Sequence, residues 1–239
     1  MNVFRLSCAL GALSLLATAP AIVGQGEVQI VWQPKAGQVS KYKMEVDAEG
    51  DFGQGPMKIK VTMGLSNTVK SVSDKEVVIE GKTNDMKVML DGNELPIGDS
   101  GNDTSTNTYS LNGDLISTKS AMGQENPRME QMTSFRYPDK ALKPGESWTR
   151  AVKGEKGGFI PAMATYTYVG PDKVGKWDCH KVTFDYKETA GDKPSSSKGT
   201  VWIDTVSGDA IKLDVTMKDV VFQEGMPAMN ATAKMNRVE

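Results

Sequence analysis

One histidine and fourteen methionines are the side chains of this chain with the widest chemical scope. Histidine serves as a general base or a metal ligand because its proton affinity lies near neutrality. A serine–histidine–acid relay would have to use His180, and no Gly-x-Ser-x-Gly elbow accompanies it. A histidine-based zinc site needs more ligands than one His and two Cys supply. The 30 Asp and Glu residues are scattered, so no carboxylate pair of the glycosidase kind is selected. The expectation is a protein that binds rather than catalyses.

Methionine offers a different chemistry. Met129-x-x-Met132 and Met226-x-x-Met229 have a spacing suited to Cu(I), which prefers soft thioether ligands. Met122, Met129 and Met132 would be the first ligands of such a site. Met44, Met57, Met63, Met217 and Met235 instead fall in phase with apolar neighbours, where methionine fills irregular interiors. That filler role is the leading reading, and no cofactor is expected.

The elements that carry these residues are strands. Along 41–48, Tyr42, Met44, Val46 and Ala48 alternate with charged residues. Met57, Ile59, Val61, Met63 and Leu65 do the same, as do His180, Val182, Phe184 and Tyr186. Ile211, Leu213, Val215 and Met217 form a fourth set, and Met229, Ala231, Ala233 and Met235 a fifth. Alternation with period two marks half-buried antiparallel strands with one wet face. Further strands are expected at 27–32, 76–80, 85–90, 106–110, 115–119, 162–169 and 200–204, and from Trp177 onward. Asp91-Gly92-Asn93, Asn112-Gly113-Asp114, Gly170-Pro171-Asp172 and Ser207-Gly208-Asp209 supply turns, and Ser195-Ser196-Ser197 a flexible loop.

The fold class expected is therefore all-β with minor α: one large antiparallel curved sheet, or an unclosed barrel, of ten to twelve strands. One segment departs from the pattern. Residues 121–148 lack alternation, and Asn126-Pro127 followed by Arg128–Phe135 predicts a short helix with Pro127 at its first position. This excursion is either a lid over one end of the sheet or a long loop.

The chain opens with Arg5, a short apolar run over Ala9–Ala19, and Ala19-Pro20-Ala21. That order describes a secretory signal over 1–21, cleaved after Ala21 or alternatively after Gly24, with a single β domain over 22–239. The run is too short to span a bilayer core of about 30 Å. Cys8 precedes the run instead of following it, so a lipid anchor is not expected there. Cys179 would then be the mature protein's one cysteine, a partly buried small hydrophobe. Basic and acidic residues nearly balance at 28 and 30 and are interleaved, which argues against a nucleic-acid or polybasic membrane surface. The expected location is the periplasm or the outside of the cell.

The inward positions are Met, Ala, Val, Ile and Leu, with aromatics at 7% of the chain. Such side chains on a bent sheet leave room for an apolar or lipid-like ligand. Met44, Val46, Ile59, Val61, Met63, His180, Val182, Phe184, Leu213 and Val215 are the candidate lining. The alternative is a structural envelope or surface protein that works through its outer face. Two stretches add a resemblance. Lys198-Gly199-Thr200-Val201-Trp202-Ile203-Asp204 with Ser207-Gly208-Asp209-Ala210-Ile211-Lys212 resembles the strand–turn–strand of exported bacterial carriers of the lipoprotein-localisation (Lol) type. Leu142-Lys143-Pro144-Gly145-Glu146-Ser147-Trp148 resembles an element of uncharacterised secreted bacterial β proteins. The resemblance implies an unclosed barrel whose concave apolar face holds acyl chains, sometimes under a short helix.

Overall fold

The computed structural model describes residues 26–53, 55–97, 103–121, 123, 127–154, 159–191, 193–222 and 226–238. The expected signal segment 1–21, with its alternative end at Gly24, and Met122 lie outside the described residues.

Among the described residues, twelve strands and one helix follow in the order β1 (Val39–Asp51), β2 (Pro56–Val72), β3 (Glu76–Leu90), β4 (Asn93–Leu95), β5 (Thr104–Ser110), β6 (Leu115–Ser120), α1 (Pro127–Thr133), β7 (Ser147–Val152), β8 (Ala162–Val174), β9 (Trp177–Glu188), β10 (Ser196–Asp204), β11 (Ala210–Val220) and β12 (Met229–Arg237). They form one antiparallel sheet in the order β6-β5-β3-β2-β1-β12-β11-β10-β9-β8-β7, with β4 paired to β3. Two meanders are thus joined where the first strand pairs with the last, Met44 opposite Met235 and Val46 opposite Ala233. The sheet is not closed: β6 and β7 are its edges.

That topology dictates the rest. β6 and β7 are consecutive in sequence but sit at opposite edges, so the chain between them must cross the whole sheet. It crosses on the inner face and carries α1. Pro127 opens the helix, as its fixed φ and missing N–H allow. Ser197 Oγ donates to Met132 O at 3.2 Å, and Tyr137 OH donates to Gly208 O at 2.6 Å. Trp148 Nε1 donates to Arg136 O at 2.9 Å. Arg128 grips the buried Glu188 of β9 through Nε at 2.6 Å and Nη2 at 2.5 Å. The excursion is therefore a cover fastened to the C-terminal meander, and it is tied to the β5–β6 end by Tyr137 N donating to Asn112 O at 2.9 Å and Arg136 Nε donating to Asp114 at 3.0 Å.

Beneath it the core is a set of cross-strand rows. One runs Val88–Val61–Val46–Ala233–Val215–Gly199–Phe184–Tyr166–Trp148, one residue per strand. Gly199 is required there, because an added Cβ would stand 2.3 Å from Asp214 O and 2.8 Å from the Phe184 ring. Phe135 of the cover meets Trp148 and Tyr166 edge-on, with centroids at 5.9 and 5.3 Å. Edge-to-face pairs of this kind close the interior over β7–β10.

Several local expectations are corrected. Residues 27–32 form no strand; Val28 makes one bridge to Leu142, and the segment pairs with the cover instead of the sheet. The runs 76–80 and 85–90 are one strand, continuous through Asp85 at φ 50. Gly170-Pro171-Asp172 is not a turn: β8 passes through it beside a register shift at Tyr168/Gly170, where a strand tolerates Pro. Ser195-Ser196-Ser197 is not a flexible loop, since Ser195 and Ser197 are buried and hydrogen-bonded. Ile211 does not share the Leu213 face. A bulge opposite Trp202/Ile203 turns it to the other side, where it packs with Cys179 and Trp202.

Candidate functional site

The cover fills the inner face over β7–β10 but not over the N-terminal meander. The sheet curls there. Trp32 meets Tyr109 of β5 at 6.0 Å between centroids, and its Nε1 donates to Asp209 beside β11 at 3.1 Å. Five strand spacings separate β5 from β11, about 24 Å along a flat sheet. One indole reaches both because the sheet is bent around it.

The bend encloses a cavity of about 320 Å³ between the inner face and the cover. Its floor has two characters. Met44, Leu213 and Met235 line it on β1, β11 and β12, while Asn107, Tyr109 and Ser105 line it on β5. Leu65 and Ile79 lie between. The roof is Glu130, Thr133 and Ser134 of the helix region with Phe135 and Tyr137. Tyr137 stacks on Trp32 at 5.9 Å.

The polar groups fall into two sets. Asp209 accepts from Trp32 Nε1 and Gln38 Nε2, and Arg237 Nη1 lies 3.3 Å from it. Glu130 accepts a hydrogen bond from Tyr109 OH. Burial raises the Glu130 carboxyl above the usual range, partly opposed by that bond. The Tyr109 hydroxyl is raised by burial and then by the Glu130 charge. Tyr42 is pushed up to about 12, chiefly by burial. These groups put hydrogen-bonding atoms on the wall of the recess.

Two of the expected lining residues, Met44 and Leu213, line this cavity. Val46, Val182, Phe184 and Val215 are buried in the core. Val61 and Ile59 are half-buried against the same core, and Met63 stands opposite Met44. His180 is on the inner face farther along, its Nδ1 3.4 Å from Tyr168 OH, and burial lowers its proton affinity. Met132 is fully buried and Met129 partly so, both in the core. Met229 is buried while Met226 is exposed, so that pair is split. Among the described residues, no three of His, Cys, Asp and Glu group as a metal site.

Trp32, Tyr109, Glu130, Tyr137 and Asp209 were not found from sequence. They come from the N-terminal segment, the cover, a short strand and a turn, so no single periodic run contains them. A second hollow, about 580 Å³, opens on the outer face. The row Thr216–Thr232–Asp47–Lys60–Met89 runs along it.

No family model matches the chain, and no curated protein matches it. Among solved structures, the hypothetical lipoprotein YmcC of Escherichia coli is similar at 14% identity and a TM-score of 0.34, over 83% of each chain. DynF, from the dynemicin biosynthesis pathway of Micromonospora chersina, is similar at 11% identity and a TM-score of 0.23, over 95% of this chain and 92% of that one. Likenesses this distant carry no conclusion about ligand or activity.

Proposed function

We propose that this protein is an exported, non-enzymatic binding module that holds an apolar, lipid-like small molecule between its bent sheet and the cover. The observation that carries the reading is the cavity of about 320 Å³, whose size lies at the lower end of small-molecule sites. Its apolar end, at Met44, Leu213 and Met235, supplies affinity through buried area, about 25 cal/mol per Å² before the costs of association. The periplasm or the cell exterior is the proposed place of work, and the carrier role follows the Lol-type resemblance of the β10–β11 stretch.

Native mass spectrometry of the purified protein, with lipid extraction, tests the reading together with uptake of N-phenyl-1-naphthylamine. Bound lipid or saturable uptake at one site is expected. A protein that carries nothing and takes up no probe contradicts it. A second reading, an envelope protein acting through its outer face, is favoured by the larger hollow of about 580 Å³ on that face.

A further inference from the structure

The cavity is not uniformly apolar. On the β1/β12/β11 side Met44, Met235 and Leu213 line it, with Ser40, Tyr42 and the Asp209–Arg237 pair beside them. At the β5 end the lining is Asn107, Tyr109 and the Glu130 carboxyl from α1. A ligand whose chain lies along Met44, Met235 and Leu213 and whose head reaches Asn107, Tyr109 and Glu130 is amphipathic.

The charges around the cavity decide which polar group fits. Asp209 is offset by Arg237 at 3.3 Å. Lys82, at the rim, is 60% exposed and pairs with Glu80. Glu130 is different: it is half-buried, bonded by Tyr109, and among the described residues no cation contributes to its electrostatics. A second carboxylate placed against it would lose hydration and meet a like charge. An amine or a hydroxyl would instead donate to Glu130, a charge-assisted bond in a water-poor site.

We propose that Glu130 and Tyr109 form the headgroup subsite of the cavity, selecting an amphiphile with a cationic or neutral hydrogen-bond-donating head and excluding fatty-acid carboxylates. The inference rests on the cavity-binding reading above and names the ligand class for the same site. Tyr109 positions the carboxyl and supplies an oxygen that accepts a second donor from the head. The residues named make no covalent step.

The test is displacement of N-phenyl-1-naphthylamine by decylamine, 1-decanol and decanoate, each below its micelle concentration, at pH 7.4 and 150 mM salt. Wild-type protein is expected to bind decylamine and 1-decanol at least about tenfold more tightly than decanoate, a difference of about 1.4 kcal/mol. Glu130→Gln keeps the acceptor for Tyr109 and removes the charge, so the gap between decylamine and decanoate narrows. Decanoate binding as well as decylamine to wild type overturns the inference, as does an unchanged gap in Glu130→Gln. A probe that binds while all three heads compete equally removes the headgroup subsite and leaves the cavity reading standing. A probe that does not bind removes both.

Discussion

Glu130 shows how one residue carries both a cost and a use. Burial raises its carboxyl above the ordinary value of 4.5, so the folded chain holds a proton that the unfolded chain releases. The favourable contribution is present below that value and is lost as pH rises through the folded pKa. Ionised Glu130 therefore weakens the fold at neutral pH. Glu130→Gln is expected to raise stability at pH 7 and leave it nearly unchanged at pH 4; urea titrations at both pH values check this, and an equal effect at both counts against it. Gly199→Ala tests packing on the same scale. Its Cβ would press on Asp214 O and the Phe184 ring. A loss of about 1–3 kcal/mol is expected, seen as a drop of about 2–4 °C in melting temperature per kcal/mol. Alternation found the inward side of Met44, Val46 and Leu213 because the pleat has a strict period of two. It misplaced Ile211, because a bulge changes the face without changing the pattern.

At the scale of elements, the edge-to-edge crossing is the feature on which the cavity depends. The helix has seven residues, too few to be stable alone, so its contacts with the sheet must hold it. Arg128 meets Glu188, whose side chain is fully buried. Arg128→Ala strands that carboxylate and is expected to cost about 3 kcal/mol in urea unfolding. Tyr137→Phe leaves the Gly208 carbonyl without its buried donor, with an expected loss of about 1–2 kcal/mol. Hydrogen exchange should then quicken in residues 134–139 before it does in β9 or β10. Uniform acceleration across the sheet would mean the cover is not a separable layer. Sequence marked the helix through Pro127 and the break in alternation. It did not show that the excursion spans the sheet, because that follows from β1 pairing with β12, a contact between the two ends of the described chain.

For the whole molecule, two meanders joined at their first and last strands give a bent, open sheet with unequal halves. One half is sealed by aromatic residues of the cover and of β7–β9. The other keeps half-buried side chains around open space. The composition suggested an interior too lightly filled to close, and that holds only over the N-terminal meander. Six phenylalanines, six tyrosines and four tryptophans are few, but Phe135, Trp148, Tyr166 and Phe184 gather in one place, a concentration that a whole-chain percentage hides. The methionines let the site be watched directly: Met44 and Met235 line the cavity, whereas Met89 lines the outer hollow. With the methionine methyl groups labelled with carbon-13, titration with 1-decanol should move the Met44 and Met235 resonances saturably and leave Met89 in place. Movement of Met89 with Met44 and Met235 unchanged would put the ligand on the outer face and contradict binding beneath the cover.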